Sequence, residues 1–195
     1  MRPKILAVVV AALVVALVPT GAPAHAAGGA NNVVLVSNHV DDALAARASV
    51  QVAHAPADTV SNENLATATS SCVGCRTVAV AMQVVVVEGH PSDFRPHNAA
   101  VAVNNECSSC ETLAYARQVV VQPAVMVYLD PEARQQLQVI ESEINDAASS
   151  PLGLFEIVAE LDVLTDQVVD VVSANMHRAG APATLTAYRS VHVPD

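Results

Sequence analysis

The residues with the most chemistry to offer are four cysteines, which occur as two C-x-x-C motifs, Cys72-Val73-Gly74-Cys75 and Cys107-Ser108-Ser109-Cys110. Four cysteines admit three disulfide connectivities. Bridges within each motif, Cys72–Cys75 and Cys107–Cys110, are favoured because a four-residue turn brings its end Cα atoms within about 7 Å, near the range a disulfide tolerates. Cross-links between the motifs would close much longer loops and stay open as an alternative. Zinc is the rival use: Cys72, Cys75, Cys107 and Cys110 form a C-x2-C-x31-C-x2-C set, and His90 and His97 lie between its halves. Arg76 and Glu111 stand where a metal-binding knuckle commonly carries glycine. No metal or other cofactor is therefore expected, with zinc as the alternative. A redox-active dithiol needs a helix N-terminus or nearby cations to favour the thiolate. Glu106 and Glu111 flank the second motif instead.

No other constellation nominates catalysis. There is no G-x-S-x-G elbow, P-loop, dinucleotide fingerprint or HExxH. Asp41-Asp42 and the acids from Glu141 to Asp146 lack the spacing of a calcium loop and read as solvated faces. With no tryptophan, 2 phenylalanines and 3 tyrosines, the chain lacks the aromatic anchors of most ligand pockets. No catalytic residue, cofactor-binding residue or small-molecule ligand is expected.

The N-terminus reads as an export signal. Arg2 and Lys4 form a basic start, Ile5 to Val18 is uninterruptedly apolar, and Ala24-His25-Ala26 follows a stretch broken by Pro19, Gly21 and Pro23. The apolar run is shorter than the roughly 20 residues needed to span a bilayer. The expected product is secreted after cleavage near Ala26, where its cysteines tend to oxidise. Beyond residue 26, seven arginines and no lysine face 19 acids, a net charge near −12. That argues against nucleic acid and anionic membranes as partners, since both need clustered cations.

The two cysteine motifs belong to a longer repeat. Residues 71–86 align with 106–121 so that both cysteines, a threonine, two alanines, a glutamine and a valine run coincide. Upstream, Asn64-Leu65-Ala66-Thr67-Ala68 matches Asn98-Ala99-Ala100-Val101-Ala102. A fainter first copy places Asn38 and Asp41 where the cysteines would be, with hydrogen bonds to hold that turn. The alternation is of period two, so these arms are strands. Thr77, Ala79, Ala81 and Gln83 share a small face, and the valine runs 84–87 and 119–121 are expected to be buried on both sides. The expected unit is a β-hairpin with a C-x-x-C tip, occurring near 32–53, 64–88 and 98–122.

The period changes at Asp130-Pro131-Glu132, a capped start for a helix running to about Ala148 with Ala133, Leu137, Ile140 and Ile144 inward. Ser150-Pro151 reads as a second start, followed by an apolar stripe through Leu154, Ile157, Leu161, Leu164, Val168 and Val172. The expected fold is α+β: hairpin repeats over 27–129 forming a sheet or sandwich, a two-helix hairpin over 130–178 covering one face, and 179–195 as an edge strand or tail.

The unit C-x-x-C-R-T-V-A-V-A-x-Q-V-V-V, then N-A-A-V-A-V-N and C-x-x-C-x-T-x-A-Y-A, resembles the repeat domain of exported proteins from high-GC Gram-positive bacteria. These are labelled peptide zinc metalloprotease proteins. The resemblance covers roughly residues 30–175 and implies an exported location and a fold class. It implies no protease, because the protease motif is missing from this sequence. The expected function is a non-catalytic structural or protein-interaction module with disulfide-pinned tips, binding a protein partner or itself. The alternatives are an accessory or substrate-recognition domain of an extracytoplasmic protease system, and a structural zinc-binding protein.

Overall fold

The computed structural model describes residues 31–55, 59–87 and 89–194; the segment 1–26 expected to be an export signal lies outside them. In chain order the elements are β1 (Asn32–Asn38), β2 (Leu44–Ala55), β3 (Thr59–Val60), β4 (Glu63–Ser70), β5 (Arg76–Val87), β6 (Asp93–Phe94), β7 (His97–Asn104), β8 (Glu111–Pro123), α1 (Pro131–Ala148), α2 (Leu154–Arg178) and β9 (Ala183–His192). The α+β class holds, but the hairpins do not form. The two strands of a unit lie in different sheets, and each pairs in parallel with its counterpart in the next unit. One sheet runs β1-β4-β7, the second β2-β5-β8-β9, and a small third one joins β3 to β6. The chain thus winds through three stacked coils.

Period-two alternation specifies a strand without naming its partner. What favours stacking here is that the repeated residues satisfy one another. Asn32, Asn64 and Asn98 form a ladder in which Asn32 Nδ2 donates to Asn64 Oδ1 at 3.0 Å and Asn64 Nδ2 to Asn98 Oδ1 at 2.7 Å. Gln83 donates to Gln51 at 3.1 Å and Gln118 to Gln83 at 2.8 Å. Ser70 Oγ lies 2.6 Å from the hydroxyls of both Thr77 and Thr112. An antiparallel hairpin would set each of these polar side chains opposite an unrelated residue, leaving buried amides to find other partners.

The small face closes the space between the two larger sheets. Ala79, Ala81, Ala114 and Ala116 pack against Val34, Val36, Ala66, Ala68 and Ala102. The opposite face of the second sheet, with Val78, Val80, Met82, Val84, Leu113, Tyr115 and Val119, packs against α1 and α2. The valines at 84–87 and 119–121 are buried throughout, as their unbroken run implies. Apolar burial at roughly 25 cal/mol per Å² makes this two-sided core the main source of stability.

Asp130 caps α1 by accepting from Ala133 N–H at 2.7 Å, and Ala133, Leu137, Ile140 and Ile144 are all buried. The second helix starts later than Ser150-Pro151 suggests. Gly153 is its cap residue, and Glu156 accepts from the Gly153 N–H at 2.9 Å. The 150–152 carbonyls are drawn to Arg76, which donates to Ser150 O and Leu152 O. The C-terminal residues form an edge strand: β9 pairs antiparallel with β8, and Ser190 and His192 accept from the N–H groups of Ala100 and Ala102 on β7. At the other end of the stack, Asn145 and Glu141 of α1 accept from Ala48 and Val50 N–H on β2. Both devices occupy backbone donors at open strand edges.

The turns between the two large sheets also stack, and each repeats one left-handed residue: Asp42 (φ 55°), Gly74 (φ 65°) and Ser109 (φ 56°). A Cβ at Gly74 would lie 2.5 Å from the Asp42 carboxylate. Gly74→Ala is expected to cost about 1 kcal/mol, mostly from the left-handed backbone, since the carboxylate can swing aside. A thermal melt unchanged from the parent would show that this turn relaxes out of the stack.

Candidate functional site

The turns after β4 and β7 carry the cysteines. Ser71 N–H donates to Asn38 O and Asn105 N–H to Ser70 O, joining successive coils where the strands end. Gly74 N–H then donates to Ser108 O at 2.8 Å, Ser108 N–H to Cys72 O at 3.3 Å, and Glu111 N–H to Cys75 O at 2.9 Å. Disulfides join Cys72 to Cys75 and Cys107 to Cys110, each with Cα atoms 6.0 Å apart. Because the turns lie one above the other, the four Sγ atoms fall within 4.8 Å of one another, and Cys75 Sγ is 3.4 Å from Cys110 Sγ. The sequence places these pairs 35 positions apart, and only the coil brings them together.

The histidines proposed as companion ligands are elsewhere. His97 begins β7 and lies 3.6 Å from Glu63, and His90 follows β5; the cysteines sit at the opposite ends of those strands. At about 3.3 Å per residue, the twelve residues of β5 put His90 well over 30 Å from the sulfurs. In the first coil the register Asn38↔Ser70 and Leu44↔Arg76 puts Val40 and Ala43, rather than Asn38 and Asp41, at the cysteine positions. The shift arises because the first and second coils are offset by 32 residues (Asn32↔Asn64, Leu44↔Arg76), whereas the second and third are offset by 34 (Asn64↔Asn98) and 35 (Arg76↔Glu111). Asn38 and Asp41 still hold the turn: Asn38 donates to Ala43 O and Arg76 O, and Asp41 accepts from Val73 N–H.

A second polar group was not legible in the sequence. Tyr115, buried on β8, donates to Asp162 Oδ1 at 2.8 Å and lies 3.0 Å from Thr165 Oγ1. Arg189 of β9 pairs with Asp162 through Nε and Nη2 at 2.6 and 2.8 Å and lies over the Tyr115 ring, 5.6 Å from its centroid. Arg117, on the bulky face of β8, donates to Thr165 and pairs with Asp166. Burial pushes the Asp162 carboxyl up, but hydrogen bonds from Arg189 and Tyr115 and the charges of Arg189 and Arg117 outweigh it and hold the group below its usual range. Burial pushes the Tyr115 hydroxyl up. The members come from β8, α2 and β9, so the cluster locks three elements together, with Asp162 paired to Arg189 and Asp166 to Arg117.

Between β2 and α1 a cleft of about 300 Å³ is lined by Val50, Val52, His54, Tyr128, Leu137 and Glu141. The His54 and Tyr128 rings meet at a tilt, with centroids 4.9 Å apart, and burial lowers the His54 pKa.

Among the described residues, no element covers the outer face of β1-β4-β7. Its rungs read Val33–Leu65–Ala99, Leu35–Thr67–Val101 and Ser37–Thr69–Val103. None of these nine residues is charged, and Val33, Leu35, Val101 and Val103 are 44, 61, 40 and 41% exposed. The alternation of β1 gives this face away once its inward residues are known, but the composition of the sequence hides it among many buried valines.

Among the described residues, no helix is long and apolar enough to cross a membrane. Compared with known proteins, the chain matches no family model, no curated protein and no solved structure.

Proposed function

We propose that the chain is an exported, non-catalytic interaction module that binds another protein through the uncovered face of β1-β4-β7. The observation that carries this reading is the uncharged three-by-three array, six apolar residues with Ser37, Thr67 and Thr69, on one face of a parallel sheet in a chain of net charge −10. Apolar patches left open by a folded chain are where protein partners dock. The β1 edge beside the patch offers backbone donors and acceptors that a partner strand can pair with. The cysteine turns and the ladders serve this role by holding the sheet in one shape before binding, which lowers the ordering cost of association.

The test pairs Leu35→Asp with Val101→Asp, the two ends of one rung on either side of Thr67. The double variant should lose at least about 10-fold in affinity for the captured partner, or in self-association, because two desolvated apolar contacts become charges. Its stability should stay close to the parent, since both side chains point to solvent. Unchanged binding, together with an unchanged sedimentation profile, would overturn the reading. Capture of a membrane protease from the exporting cell would narrow the role to the accessory domain that the repeat resemblance implies.

A further inference from the structure

The four sulfurs are gathered by the backbone, and this has a consequence for the reduced chain. The inter-turn bonds Gly74 N–H to Ser108 O, Ser108 N–H to Cys72 O and Glu111 N–H to Cys75 O hold the two turns in register without help from sulfur. Val73 and Ser108 form a parallel bridge between them. The strands on both sides, β4 with β7 and β5 with β8, continue that register. Opening the disulfides therefore leaves four thiols in one place.

A tetrahedral zinc site with Zn–S bonds of about 2.3 Å sets its sulfurs about 3.8 Å apart. The quartet spans no more than 4.8 Å and already has Cys75 Sγ at 3.4 Å from Cys110 Sγ. Side-chain rotations of the four cysteines suffice to even out those separations, with the backbone left as it is. Cys72 and Cys75 are buried, at 5 and 1% exposure, while Cys107 and Cys110 are half-buried. Such a site is closed on the protein side and reachable by an ion from the other.

We propose that in the reduced chain Cys72, Cys75, Cys107 and Cys110 bind one zinc ion as four thiolates. Each thiol gives up its proton, so one Zn²⁺ replaces four protons, and the reaction involves no change of oxidation state. The oxidised chain carries two disulfides in the same place and has no thiolate to offer. Soft thiolate donors in a tetrahedral set exclude magnesium and calcium, which take oxygen ligands. The sites that bind zinc and the face that binds protein lie on different parts of the coil, so failure of either reading leaves the other standing.

Cobalt(II) is the probe. The full chain is reduced with a phosphine, freed of reductant without oxygen, and titrated with Co²⁺. A thiolate-to-cobalt charge-transfer band and intense tetrahedral d–d bands should grow to one cobalt per chain, then vanish as one equivalent of Zn²⁺ is added. Cys75→Ser and Cys110→Ser should each weaken cobalt binding by at least about 100-fold, beyond the 10–100-fold loss of a residue that merely supports a ligand. Far-ultraviolet circular dichroism of the variants checks that the coils persist. The air-oxidised chain should give no such bands. Two ions per chain, a pale octahedral spectrum, equal binding by the oxidised chain, or serine variants that bind as the parent does would each overturn the site. So would a folded reduced chain that binds no cobalt.

Discussion

Asn64→Ala is expected to cost about 4 kcal/mol, a large part of the 5–15 kcal/mol that holds a domain together. The Asn64 side chain is fully buried. Its amide donates to Ala81 O at 3.0 Å, Asn98 Oδ1 at 2.7 Å and Arg117 O at 3.0 Å, while its carbonyl accepts from Asn32. Those contacts reach both large sheets and all three coils. Truncation leaves acceptors facing a void too small and too dry to replace the amide, at about 1–3 kcal/mol for each group left without a partner. Asn32 keeps its bonds to Ser49 O and Met82 O, so the loss is confined to the centre of the ladder. Urea unfolding should show a lower midpoint at unchanged slope. A loss under about 1 kcal/mol would mean that the ladder contributes little and that the valine core alone sets the register.

The second large effect is at Tyr115. Tyr115→Ala should cost about 4 kcal/mol, as expected for removing a buried aromatic ring from a packed core. Tyr115→Phe separates the two contributions: it keeps the ring against α2 and removes only the hydroxyl that bonds Asp162 and touches Thr165, for about 1–2 kcal/mol. Equal losses from the two variants would contradict this division and place the whole effect in the hydroxyl.

The same cluster sets a pH dependence. The Asp162 carboxyl is held below its usual value in the folded chain. Its contribution is therefore complete above the unfolded carboxylate pKa of about 4 and is lost as pH falls through the lower folded value. Asp162→Asn should be less stable than the parent at neutral pH and show a flatter decline below pH of about 4, followed by chemical denaturation at a series of pH values. His54 acts in the same direction at milder acidity: burial lowers its pKa, so protonation from about pH 6.5 downward favours the unfolded chain. His54→Gln should remove that earlier component and leave the one from Asp162.

Much of the local structure was legible in the sequence. Alternation marks the strands, an acid-proline cap marks α1 at its observed start, and the coincidence of Asn64 with Asn98 and Gln83 with Gln118 announces a repeat. The small alanine face and the double-sided valine runs are also burial statements that the sequence makes directly. The Ser150-Pro151 start failed because a cap is a local preference, and Arg76, 74 residues away, ties up the Ser150 carbonyl.

What the tertiary structure alone decided is who sits beside whom. A C-x-x-C turn between two strands is the same string whether the strands pair with each other or with their copies. Pairing each strand with its copy wins because it stacks Asn on Asn and Gln on Gln, while Ser70 reaches the hydroxyls of Thr77 and Thr112 across the two sheets. The cysteine quartet follows from that choice, as does the uncharged outer face of β1-β4-β7, since both need residues from different coils side by side. The Tyr115–Asp162–Arg189 cluster depends on β9 returning to β8 after two helices. Spacing along the chain carries the repeat, but the free energy of a rung belongs to pairs that are 32 to 35 residues apart, and only the folded coil brings them within hydrogen-bonding distance.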